Sequence, residues 1–396
     1  MKTKIQDMTS GSPGRLIILF AIPLMLGNIC QQLYTMVDTM VVGQVAGVEA
    51  LAALGAVDFL MWVVTGISTG LTQGFSIQLS QYYGAKDFEN LRKSLAHSYR
   101  LTAFIAAGVL ILSQSFASLV LTGLHTPSNI IGMSLLYLRI IFCGIPATAA
   151  YNMFASALRA MGNSKTPLTA MIIASVLNVS LDILFVAGFG WGVAGAAIAT
   201  VIAQSFSAVY CFLILRRIDI VHLTRADFMP ASGMNARLMK LGIPVVFQNI
   251  IIGVGGLVVQ YVINGYGFLF VAGFTATNKL YGLLEMAAIS YGYAIVTYVG
   301  QNLGAEKIDR IRKGVRSSML LSLLTSLIIS AAMFLFGKNI LSLFISGEPQ
   351  QTQQVLAIAF KYLSIMAALG FVLSVRVQIC TSGAGRYLNA YGKWYG

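Results

Sequence analysis

The sequence predicts an all-α polytopic membrane protein of two six-helix repeats that run the same way through the bilayer, the second truncated after about span ten. Three observations carry this expectation. Hydrophobic residues make up 57% of the 396 residues and charged residues only 10%, where soluble domains carry about 25% charged. Apolar runs long enough to cross a bilayer recur along the whole chain. Local patterns from the first half also return in the second at a nearly constant offset.

The apolar runs fall at roughly 16–42, 50–80, 95–121, 129–158, 167–189, 192–215, 238–264, 268–300, 317–337 and 353–380. Span one is interrupted by Pro23, which lacks a backbone donor and bends a helix, and by the carboxylate of Asp38. A carboxylate at the centre of a membrane helix costs roughly 2.5–3.5 kcal/mol on insertion scales, so Asp38 marks a candidate functional site. On span five, Met171, Ser175, Asn178 and Asp182 follow one another at helical spacing and form one stripe. A carboxylate one turn from a carboxamide offers oxygen ligands to a hard cation, or a protonatable site with a hydrogen-bonding neighbour. A polar stripe that only glues helices together is the competing reading. Gln31, Tyr34 and Asp38 share a face of span one, and Thr200 and Gln204 lie one turn apart on span six. Glu285 is the sole acid within a span of the second half. It is either a counter-charge for a cationic substrate or a locally paired structural acid. Asp58 and Arg139 sit at similar depth on spans two and four and are expected to approach each other.

Basic residues cluster in alternate short loops, which places those loops and the N-terminus in the cytoplasm. Lys86, Arg92 and Lys93 lie in one such loop, Arg216, Arg217, Arg225 and Arg237 in another, and Lys307, Arg310, Arg312 and Lys313 in a third. Only Lys338 is assigned to an outside loop, while Arg139, Lys279 and Lys361 lie within spans. The formal net charge of +13 is therefore a topology signal, and no nucleic-acid partner is expected.

Phe20-Ala21-Ile22-Pro23 aligns with Leu241-Gly242-Ile243-Pro244, and Gln81-Tyr82-Tyr83-Gly84-Ala85-Lys86 with Gln301-Asn302-Leu303-Gly304-Ala305-Glu306. The expected organisation is an N-lobe over 1–216, a cytoplasmic linker over 217–237 and a C-lobe over 238–396, with the counterparts of spans five and six absent from the second repeat. Parallel repeats of this kind place a substrate site within or between the halves.

Ala21-Ile22-Pro23, the run Val37-Asp38-Thr39-Met40-Val41-Val42-Gly43, the loop Ala157-Leu158-Arg159-Ala160-Met161-Gly162-Asn163 and the Asn178, Asp182 pair resemble the multidrug and toxic compound extrusion (MATE) transporters, over about residues 13–386. The resemblance implies two six-helix lobes around a cleft and efflux of lipophilic or cationic drugs by antiport with Na⁺ or H⁺. Its prokaryotic branch with an N-lobe cation site implies cation coupling at Asp38, Asn178, Asp182 and Thr200, which would also hold Na⁺. It implies a cavity lined by Gln31, Tyr34, Asn152 and Ser175, and a hinge at Pro23. A second branch carries an acid on span seven, where this chain has none and Gln248 is the nearest polar residue. A lipid-linked oligosaccharide flippase of related architecture is the alternative, but it favours a cationic cavity, which Asp38 and Asp182 oppose.

No phosphate-binding G-x-x-x-x-G-K-[ST] loop or H-E-x-x-H occurs, so neither an enzyme nor direct use of ATP is expected. No cofactor is expected beyond the coupling ion. The partners are small organic cations or drugs and the lipid bilayer, and the chain is expected to act as a monomer in the plasma membrane. Cys30, Cys143, Cys211 and Cys380 lack metal-ligand spacing and are expected as small core residues. His97, His125 and His222 lie in or near loops and are expected to be solvated.

Overall fold

The computed structural model describes residues 5–367, apart from 125, 265, 267, 345–349, 351 and 352. Cys380, Arg376, Arg386, Lys393, His125 and the end of the tenth span fall outside the described residues, as does the side chain of Lys279.

Among the described residues the elements are helical: α1 Pro13–Val45, α2 Val48–Gly84, α3 Phe88–Gly123, α4 Ile131–Cys143, α5 Ile145–Ala160, α6 Lys165–Asp182, α7 Gly192–Arg216, α8 Met234–Asn264, α9 Phe268–Gly304 and α10 Ile308–Phe344. A further helix, α11, covers residues 353–367. Seven of the described helices are long and apolar enough to cross a membrane, and α4 with α5 make an eighth. At 1.5 Å per residue, helices of 33 to 37 residues are about 50–55 Å long. They outrun a hydrocarbon core of about 30 Å, so their ends stand in the interface.

Two spans are less regular than the sequence suggests. The fourth breaks at Gly144, and α4 and α5 meet at 46°. Pro146 cannot donate to the carbonyl four residues back. Gly144 sits where α7 presses in, and a Cβ there would lie 2.6 Å from Val201 Cγ2. The same triplet at Gly242-Ile243-Pro244 leaves α8 continuous, as Pro23 leaves α1. The fifth span passes from α6 into a π-helical turn over Ile183–Gly188, directly after Asp182. Gly195 of α7 packs beneath this turn, where a Cβ would stand 3.0 Å from the backbone of Phe185.

One tight turn is built twice. Lys86 (φ 58°) and Glu306 (φ 59°) are the described non-glycine residues with positive φ. Asp87 N–H donates to the Tyr82 carbonyl at 3.0 Å, and Lys307 N–H to that of Asn302 at 2.8 Å. These positions are the ones the aligned hexapeptides equate.

The chain forms two compact units, and they cut across the sequence repeat. The first holds Leu26–Gly253 and the residues just before Met8; the second holds Met8–Met25 and the chain from Val254 onward. In the first unit the start of α8 lies against α2. A Cβ on Gly70 would come within 2.9 Å of Val246 N, and Gly74 abuts the backbone of Gly242. The connection between α7 and α8 is also fastened there. Asp227 accepts from Thr224 N and Oγ1 at 2.7 and 2.8 Å and pairs with Arg92 at 3.7 Å. His97 contacts Asn235 Oδ1 at 2.7 Å and the Met229 carbonyl at 3.1 Å. It is therefore a buried tether of the linker, not a solvated side chain; His222 is near Arg216 O at 3.0 Å. Of the cysteines, Cys211 is buried, Cys30 is half-buried, and Cys143 is exposed, contrary to a core role.

In the second unit Met8, Ile17, Phe20, Ala21 and Leu24 pack with Tyr291, Ala294, Ile295, Tyr298 and Val299. The strand of chain before α1 is gripped by buried Asn302. Its Nδ2 donates to the Met8 carbonyl at 2.9 Å and the Tyr298 carbonyl at 2.8 Å, while its Oδ1 accepts from Arg310 Nε at 3.0 Å. Asn302→Ala strands these buried groups, each costing about 1–3 kcal/mol. The expected outcome is a lower melting temperature in detergent, which a thermal melt followed by size exclusion measures.

Candidate functional site

The site is assembled within the first unit from α1, α6 and α7, with α4 and α2 beside it. On α6 the residues Ala170, Met171, Ala174, Asn178 and Asp182 are buried. Helix α7, which packs against α6, buries Ala196, Ala197, Ala199 and Ala203. Small residues let the two helices approach closely, and this carries the two polar side chains inward. Asn178 and Asp182 have no exposed surface, and Asp38 on α1 retains 5%.

Asn178 Nδ2 donates to Thr200 Oγ1 at 3.4 Å. The charge of Asp38 reaches Asp182, so the two carboxylates share one electrostatic environment. Asp58 on α2 acts on Asp38 as well. Tyr137 of α4 is buried beside the site, in a cluster with Val42 of α1, Val57 of α2 and Val186 of the π-helical turn. The Tyr34 hydroxyl accepts from Gln204 Nε2 at 3.3 Å and is near Gln31.

The oxygens left over define the chemistry. Asp38 Oδ1, Asn178 Oδ1, both carboxylate oxygens of Asp182 and Gln204 Oε1 are buried without a hydrogen-bond partner. Each is an acceptor, and carboxylates are acceptors only when ionised. A buried acceptor without a donor costs about 1–3 kcal/mol, more when charged. Buried carboxylates that share a low-dielectric site also resist joint ionisation. The arrangement therefore suits a positive charge, either a proton on a carboxylate or a hard cation bound through oxygens. Among the described residues no cluster of three or more His, Cys, Asp or Glu offers a metal site.

The remaining candidates are placed differently. Asn152 Nδ2 donates to Thr69 Oγ1 of α2 at 3.2 Å. Ser175 Oγ donates to the Met171 carbonyl at 2.7 Å and meets the Cys30 carbonyl at 3.5 Å, tying α6 to α1. Gln31 is exposed, and Pro23 lies inside an unbroken α1. Glu285 is half-buried on α9, where its charge reaches Tyr281. The burial of Tyr137 against α1 and α2 is not apparent from the sequence. A tyrosine within Leu136, Leu138 and Arg139 carries no pattern that aims it at another helix.

Comparison with known proteins follows from this geometry. A family model described as MatE matches residues 23–184 and 244–387, the two matches opening on Pro23 and Pro244. The probable multidrug resistance protein YpnP of Bacillus subtilis is 31% identical over 94% of this chain and 83% of its own length. The probable multidrug resistance protein YoeA of the same organism is 28% identical over 91% of this chain and 78% of its own. Among solved structures, an outward-facing multidrug resistance MATE family transporter of the MOP superfamily superposes with a TM-score of 0.86. It has 21% identity over 97% of this chain and 86% of that one.

Proposed function

The chain belongs to the MatE family, and on that premise we propose that it exports lipophilic or cationic drugs across the membrane by antiport with Na⁺ or H⁺. The single observation that carries the coupling is the cluster of buried, unpartnered acceptor oxygens on Asp38, Asn178, Asp182 and Gln204. The drug specificity rests on the relatives named as multidrug resistance proteins.

The mechanism follows from charge accounting. Asp38 and Asp182 hold a proton or a cation between them, with Asn178 and Thr200 supplying neutral oxygens. An organic cation is drawn toward the carboxylates when the ion leaves. Ion binding then cancels that negative charge and releases the drug. Coupling requires the ion to favour one conformation over the other, since equal affinity for both shifts nothing. The bend at Pro23 is the proposed hinge, because a proline removes one restraint from the helix that carries Asp38. Tyr34 and Gln31 line the drug path beside Asp38, and Asn152 and Ser175 line it further along. The basic loops support a cytoplasmic N-terminus.

The test is uptake or efflux of a fluorescent organic cation by proteoliposomes under an imposed Na⁺ or pH gradient. Transport should follow one of the two gradients and fail without either. Asn178→Leu removes one neutral ligand and keeps both carboxylates. It is expected to raise the ion concentration for half-maximal transport about tenfold, the scale of one hydrogen bond to a charged group, with transport at saturating ion retained. An unchanged ion dependence would remove Asn178 from the site.

A further inference from the structure

A cavity of ≈ 660 Å³ lies away from the acidic cluster, lined by Leu110, Ile111, Gln114, Arg139, Ile140 and Cys143 among others. It runs between α3 and α4. Gln114 Nε2 pins its walls together by donating to the Arg139 carbonyl at 2.8 Å and to Cys143 Sγ at 3.2 Å. The surface around it is apolar and open: Ile111, Leu112, Phe116 and Leu136 are exposed, as expected of a face turned to lipid.

Arg139 is the exception in this setting. It is exposed within a membrane-spanning segment and forms no ion pair among the described residues. Helix geometry turns its side chain outward. Tyr137 is buried in a cluster with Val42, Val57 and Val186, and a residue two positions later points about 200° away. Arg139 thus turns away from that buried cluster and into the groove. It lies about 12 Å along the helix from the start of α4 at Ile131, at the membrane side opposite the basic loops. At that depth an arginine reaches up along its apolar stem to the headgroups.

We propose that this groove binds an acidic phospholipid of the leaflet opposite the basic loops. Its phosphate pairs with Arg139, and its acyl chain lies along Leu110, Ile111 and Ile140. The occupant is chosen by charge and shape together. A guanidinium recognises phosphate oxygens through paired N–H donors, and the apolar walls accept a hydrocarbon chain but offer nothing to a free anion. The inference rests on the membrane-spanning reading of α3 and α4 and is independent of the ion site.

Native mass spectrometry of the detergent-purified full chain tests it, with phosphatidylglycerol and phosphatidylcholine titrated separately. The wild type should bind the first phosphatidylglycerol about tenfold tighter than phosphatidylcholine, the scale of one charge-assisted hydrogen bond. Arg139→Gln should abolish that preference. Ile111→Trp, at an exposed position, fills the groove, keeps the arginine and should weaken both lipids; it decides the matter if the first variant fails to fold. Excess inorganic phosphate should leave lipid binding unchanged. Retained preference in folded Arg139→Gln, unchanged binding in Ile111→Trp, or displacement by phosphate would each overturn the assignment.

Discussion

Asp182→Asn is expected to reduce gradient-driven drug efflux to the level of empty liposomes while leaving the protein folded. Asp182 has no exposed surface, and neither carboxylate oxygen has a partner. Its ionised form is therefore sustained only by a bound positive charge, and an amide of the same shape removes that demand. Breaking a buried ion pair usually destabilises, because the surviving charge is left alone. Here the substitution removes the charge that lacks a protein partner, so the melting temperature without ion should hold or rise. The contrast appears on adding the coupling ion. An ion present at a hundredfold excess over its dissociation constant stabilises a folded protein by about 2.7 kcal/mol. The wild type should show such a rise and Asp182→Asn should not. A variant that melts far below the wild type in the absence of ion would assign Asp182 a structural role instead.

The second large effect concerns packing. Gly74→Val should lower the melting temperature sharply and reduce the yield of monodisperse protein. A side chain at Gly74 meets the backbone of Gly242 and the carbonyl carbon of Leu241. Backbone cannot rotate aside as a side-chain tip does, and overpacking typically costs about 1–3 kcal/mol, occasionally more. Gly108, on α3, has nothing within 4 Å of an added Cβ and serves as the control. Gly108→Ala should melt like the wild type or slightly higher, since alanine is the better helix former. Equal behaviour of the two variants would mean that the start of α8 does not pack against α2 this closely.

Much of this architecture is legible in the sequence because a bilayer imposes simple demands. Apolar length gives the spans, and a shared hexapeptide anticipates the twin turns at Lys86 and Glu306. The departures come from contacts that no local pattern encodes. Gly-Ile-Pro breaks the helix at Gly144 but not at Gly242, although both glycines are closely packed by a neighbouring helix. The π-helical turn after Asp182 depends on Gly195 from the next helix, and a uniform apolar run gives no sign of it. The compact units divide α1 and α8 near their middles, which a repeat alignment cannot show because it matches residues between the halves and says nothing of which residues pack together. At the candidate site, an acid in an apolar run singles out Asp38, and helical spacing places Asp182 and Asn178 on one stripe. The rest is side-chain reach. Tyr137 is buried against α1 and α2 from another helix, while Ser175 and Asn152 spend their hydrogen bonds on Met171 and Thr69.

The central proposal is that ion coupling resides in the buried carboxylates of the first unit, and one measurement addresses it most directly. Proteoliposomes holding wild type, Asp38→Asn, Asp182→Asn or the double variant are loaded with a fluorescent organic cation and given a Na⁺ gradient or a pH gradient in separate runs. The wild type should expel the dye with one gradient, and all three variants should stay at the level of empty liposomes. Gradient-driven expulsion at the wild-type rate by the folded double variant would contradict the proposal outright.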